Sequence, residues 1–83
     1  MKFLINSEDN QAINLANVSE ITISCNWLKL ITTGGLNSRE VCFIYGTESS
    51  LSKLFMRIMQ FINDDKETVF DCYSFLYNMV NHI

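Results

Sequence analysis

The amino-acid sequence predicts an α+β fold, strands first and helices second, in a single domain over residues 1–83. Up to Tyr45, apolar residues alternate in short runs divided by turn-forming clusters. Beyond Gly46 they recur at helical spacing to the C-terminus. The expected architecture is an antiparallel sheet of four to five short strands (residues 2–45), an amphipathic helix (about 47–63) and a second helix (about 68–81).

Lys2 to Asn6 reads as a first strand, followed by the turn cluster Ser7-Glu8-Asp9-Asn10 and a return strand over Ala12 to Leu15. The alternation then slips. Ile13 and Leu15 share one parity, Val18 takes the other, and Ile21, Ile23 and Cys25 restore the first. A strict period of two cannot place all six on one face, so a turn or bulge is expected around Ala16-Asn17. Glu20 to Cys25 is a third strand with several β-branched residues. Asn26 makes a tight connection to a fourth strand, in which Leu28, Leu30 and Thr32 alternate against Trp27, Lys29 and Ile31. A loop over residues 33–38 follows, its paired glycines supplying positive φ. Arg39 to Tyr45 is the fifth strand. The continuous apolar run Val41 to Tyr45 suggests a central position or cover on both faces.

Thr47 is the expected cap of the first helix, with Glu48 at the positive end of its dipole. Leu51, Leu54, Phe55, Ile58, Phe61 and Ile62 form the apolar stripe, flanked by Met56 and Met59. In the last segment Val69, Tyr73, Leu76, Val80 and Ile83 fit helical spacing, and Thr68 or Asp71 can cap it. Thr68-Val69-Phe70 also has strand chemistry, so a short strand before the helix stays open at this point.

Eighty-three residues leave no room for a second core. A chain this short buries roughly 60–65% of its unfolded surface, which gives modest stability. Six Phe, three Tyr and one Trp are a heavy aromatic load for that length, and a partner surface or a homodimer interface is a natural place for the excess. The net charge of −3 arises from scattered charges with no Lys/Arg cluster, which argues against direct nucleic-acid binding. Asp64, Asp65, Glu67 and Asp71 bunch together, either as a solvated turn or as an attraction for a basic partner.

The sequence points to no catalytic chemistry. Cys25, Cys42 and Cys72 are far apart and His82 is the one histidine, so no metal site is expected; three buried, reduced thiols are. A Cys72–His82 dyad on one helix would be separated by about 15 Å, and His82 sits where chain ends fray. Gly34-Gly35 lacks the context of a phosphate loop. No cofactor is expected. The N-terminal apolar run stops at Asn6, short of what export needs, and no run is long enough to span a membrane. The expectation is a soluble cytoplasmic protein.

The stretch Ala12 to Ile23 contains Ile13-Asn14-Leu15-Ala16-Asn17-Val18-Ser19-Glu20-Ile21, and Gly46-Thr47-Glu48 heads the first helix. In these features the chain resembles small uncharacterised proteins of bacteria and their phages. There an I-N-L-x-N-V-x-x-I strand–turn–strand follows a short hairpin, and a G-T-E-headed helix follows the last strand. The outline is similar to that of the small FlbD-like flagellar-operon proteins over most of Met1 to Asn63. The resemblance implies the α+β layout, no shared catalytic position, and a phage or mobile-element origin.

These readings lead to an expected function as a non-enzymatic protein–protein interaction module, most sharply a phage-type small inhibitor of a host defence complex, of the anti-CRISPR kind. The alternatives are a small-ligand binding or sensing module acting as an oligomer, and a structural accessory subunit. Expected partners are another protein or complex, or a second copy in a homodimer. The interaction candidates are Trp27, Met56, Phe70, Tyr73 and Tyr77, with the acids Asp64, Asp65 and Glu67 as a weaker, DNA-mimicking set.

Overall fold

A computed structural model describes residues 1–34 and 37–81; Gly35 and Leu36 of the glycine loop lie outside the described residues, as do His82 and Ile83. The fold is α+β, with six strands in two three-stranded sheets and two helices.

The chain opens as a hairpin, β1 (Phe3–Asn6) against β2 (Gln11–Asn14). The parity slip is a 3-10 turn at Leu15–Asn17, begun by Asn14, whose side chain accepts the Ala16 amide. A bulge follows between Val18 and Glu20. The offset therefore does more than kink a strand, because it carries the chain from one sheet to the other. The second sheet is the meander β3 (Val18–Ser24), β4 (Trp27–Gly34) and β5 (Asn37–Tyr45), in that spatial order. Cys25 and Asn26, both at positive φ (53° and 64°), form the two-residue turn between β3 and β4, as a hairpin twisted to match its strands requires.

α1 (Glu48–Asn63) follows, then β6 (Val69–Asp71) and α2 (Cys72–Asn81). β6 pairs parallel to β1, with Phe3 opposite Val69 and Leu4 opposite Phe70, and completes the first sheet in the order β2-β1-β6. The single sheet expected over residues 2–45 is thus two sheets, one of them closed by the C-terminal segment. The second helix begins at Cys72, four residues later than its spacing suggested, because Val69, Phe70 and Asp71 take up the free edge of β1.

β5 differs from expectation in another way. It is an edge strand, not a central one. Its apolar run is explained by a bulge, since Leu28 pairs with Ile44 but Lys29 pairs with Cys42. The extra residue, Phe43, breaks the alternation, so Phe43 and Ile44 both point inward while Cys42 and Tyr45 are exposed.

One core cluster draws on both sheets and both helices: Leu4, Leu28, Leu30, Phe43, Ile44, Leu51, Leu54, Ile58, Phe61 and Cys72. Of the α1 stripe, Leu51, Leu54, Ile58 and Phe61 are buried, Phe55 is half-buried and Ile62 lies at the solvent edge. Thr47 caps α1, its hydroxyl oxygen accepting the Ser50 amide at 3.1 Å. Gly46 lies close against Leu51 and Leu76, where a Cβ would come within 3.2 Å of Leu51. Cys72 alone of the three cysteines is buried; Cys25 sits in an exposed turn and Cys42 on the outer face of β5, which corrects the expectation of three buried thiols. Among the described residues no helix is long and apolar enough to cross a membrane.

Candidate functional site

Four aromatic residues, Trp27, Tyr45, Tyr73 and Tyr77, gather in one place. Trp27 opens β4 and Tyr45 closes β5, directly opposite each other, and their rings meet edge to face with centroids 5.3 Å apart. Tyr73 and Tyr77 lie one turn apart on α2, where an i, i+4 spacing puts both on one face, and their rings stack at 5.9 Å. The two pairs line a common cleft of about 460 Å³, floored by Ile44 and Leu76. Tyr45 and Tyr77 are 61% and 57% exposed, well beyond what a packed aromatic shows. Trp27 and Tyr73 are half-buried and anchor the walls.

One rim of the cleft is acidic and is held in place. Asn6, the buried polar side chain at the end of β1, donates from Nδ2 to the Phe43 carbonyl (2.9 Å) and to the Asp9 carboxylate (3.3 Å), and its Oδ1 accepts the Glu8 amide (3.2 Å). This is an Asx-type local bond that competes with continued strand and shapes the turn over residues 7–10. It leaves Glu8 and Asp9 at the mouth of the aromatic cleft. Loss of solvation, followed by the Glu8 carboxylate that accepts its hydrogen bond, raises the Tyr73 phenol above its ordinary value. Tyr73 therefore remains a donor at neutral pH. None of the residues lining the cleft is a lysine or an arginine.

The remaining sequence candidates lie elsewhere. Phe70 is half-buried between Phe61 (5.7 Å) and Phe75 (6.0 Å), with the Arg57 guanidinium 4.8 Å above its ring. Glu67 pairs with that same Arg57 at 2.8 Å. Met56, 63% exposed, lines a shallow hollow with Asp64 and Asp65 at the end of α1. Asp64 accepts the Lys66 amide through its carboxylate at 2.8 Å. Trp27, Tyr73 and Tyr77 thus come together, whereas Met56, Asp64 and Asp65 form a second patch and Phe70 and Glu67 serve packing. A larger apolar groove of about 640 Å³ runs between α1 and β3, lined by Leu15, Val18, Phe55 and Ile62 among others. It holds no comparable set of aromatic pairs.

Sequence reading missed Tyr45, Asn6, Glu8 and Asp9. Tyr45 was within reach, but a plain hairpin count from Gly34 opposite Asn37 sets Trp27 against Ile44. The bulge at Phe43 shifts that register by one and brings Tyr45 to Trp27. Among the described residues there is no group of three His, Cys, Asp or Glu that could hold a metal ion. No protein-family model matches this chain, and no match to it was found among curated proteins or solved structures.

Proposed function

We propose that this protein is a non-enzymatic interaction module that docks a partner protein on the cleft between Trp27, Tyr45, Tyr73 and Tyr77. The observation that carries this reading is the convergence of four aromatic side chains from two strands and a helix, two of them more than half exposed. Large aromatic anchors around a recessed apolar floor are the usual source of interface affinity. The sharper form of the proposal is a phage-type inhibitor acting on a host defence complex in the cytoplasm. Its support is the resemblance carried by residues 12–23 and 46–48, together with the small size and mild acidity of the chain.

The test uses the double variant Tyr45→Ala/Tyr77→Ala, which removes two exposed rings and leaves the buried core cluster intact, its folding checked by circular dichroism. Proteins captured from one bacterial extract by the native chain and by the variant are compared quantitatively. The expected result is a partner enriched on the native chain and lost on the variant; a partner retained equally by both moves the working surface away from this cleft. For the sharper form, phage plating is measured on a CRISPR-immune host expressing either chain. Restored plating with the native chain alone supports inhibition, and unchanged plating removes it.

A further inference from the structure

We infer that the aromatic cleft receives a cationic side chain, an arginine projecting from a basic segment of the partner, seated against the tyrosine faces beneath Glu8 and Asp9. The inference rests on the docking reading above and specifies the chemistry of what docks.

Two features of the site select a cation over an apolar plug. The first is the wall. Tyr73 and Tyr77 present stacked rings, and Tyr45 adds a third exposed aromatic surface. The negative face of an aromatic ring attracts a guanidinium or ammonium, and arginine's planar, weakly hydrated head suits such a surface better than lysine's. The chain already uses this contact twice inside its own fold, with Lys2 4.7 Å from the Phe61 ring centre and Arg57 over Phe70.

The second feature is uncompensated charge. Asn6 fixes the turn that carries Glu8 and Asp9, so both carboxylates stand at the cleft mouth, with Glu8 bound by the Tyr73 hydroxyl. None of the chain's six lysines and arginines lines the cleft, and three of them are engaged elsewhere. Lys2 is bound by main-chain carbonyls, Lys29 pairs with Glu40 at 3.4 Å, and Arg57 pairs with Glu67. Lys53 and Lys66 line other hollows. A partner that brings a positive head between apolar rings and two carboxylates supplies what the cleft lacks, and an acidic partner is repelled.

The test is a displayed library of random twelve-residue peptides selected on the native protein and counter-selected on Tyr45→Ala/Tyr77→Ala. Peptides that require the cleft are synthesised with arginine, lysine or the neutral isostere citrulline at the enriched position. Binding is read by the fluorescence of Trp27, the chain's single tryptophan. The expected result is an enriched arginine, with affinity falling about tenfold on replacement by citrulline and about fivefold in Glu8→Gln/Asp9→Asn. Those two changes keep the acceptors for Tyr73 and Asn6, so the fold is retained. Cleft-dependent peptides that bind equally well with citrulline would overturn the cation inference and leave the docking reading standing. Failure to recover any cleft-dependent peptide would overturn both.

Discussion

Asp71 ends β6 and begins α2, and its carboxylate accepts from the amides of Tyr73 (3.1 Å), Ser74 (3.4 Å) and Ser7 (3.4 Å) and from the Ser74 hydroxyl (2.9 Å). It caps the first turn of the helix that carries Tyr73 and Tyr77, and it also ties that turn to the loop bearing Glu8 and Asp9. Partial burial pushes its carboxyl up, but the hydrogen bonds from Ser7 and Ser74 outweigh this and leave it below its ordinary value of 3.8. The same surroundings act oppositely on Cys72, where burial first and the Asp71 charge second push the thiol up to about 12 and keep it protonated. A carboxyl depressed in the folded state adds stability that is complete above its unfolded pKa and is lost as pH falls through the folded value. Asp71→Asn keeps an acceptor oxygen and removes the charge. It is expected to cost about 0.5–1 kcal/mol near neutral pH. That gap should narrow when melting is repeated in acid, as pH falls through the lowered pKa of the folded state and the native carboxyl takes up its proton. A gap of the same size at both pH values would mean that geometry alone, not charge, is at work. The sequence offered Asp71 as one of two cap candidates; its second bond, to Ser7 across the sheet, has no local signature.

Among the elements, α1 was the most legible, because a cap and a stripe are both local. Thr47 opens it, and Leu51, Leu54, Ile58 and Phe61 are buried at the spacing that defined them. Its far end was not legible. α1 has no basic residue in its last turn. The cation that satisfies it is Lys2, which donates to the carbonyls of Phe61 (2.8 Å), Glu67 (2.7 Å) and Asp64. Three donors thus meet three carbonyls at the negative end of the helix dipole, from a residue about sixty positions away in sequence. Lys2→Met retains the packing of the stem and removes the ammonium. Its expected cost is about 1.5–3 kcal/mol, read as a lower midpoint in urea at unchanged slope. A midpoint equal to the native one would show that water serves those carbonyls as well. β6 was ambiguous for a related reason: Thr68-Val69-Phe70 suits either element locally, and its strand state is decided by the edge of β1, formed at the other end of the chain.

For the whole molecule, the same closure makes β6 and α2 part of the folded core and not an appendage. β6 is the third strand of the first sheet, and the Phe3 amide donates to the Thr68 carbonyl at 2.9 Å. Phe70 covers Phe61, Cys72 is fully buried, and Leu76 packs against the core cluster. The helix α1 alone therefore cannot close the two sheets that precede it. A chain ending at Asp65 would leave β1 with an open edge and strip the cover from Phe61, in a domain already short of buried surface. That fragment is expected to lose the sharp thermal transition of the intact protein in circular dichroism. Mixing it with a peptide of residues 66–83 should restore the transition in a concentration-dependent way, because the partner binds only the folded form. A cooperative transition in the fragment alone, near the native midpoint, would show instead that residues 1–65 hold a complete core. In that case the aromatic face of α2 would be docked onto a finished domain. The cleft between Tyr45 and Tyr77 would then open and close as α2 moves, whereas the two-ended closure described above holds its walls fixed relative to each other.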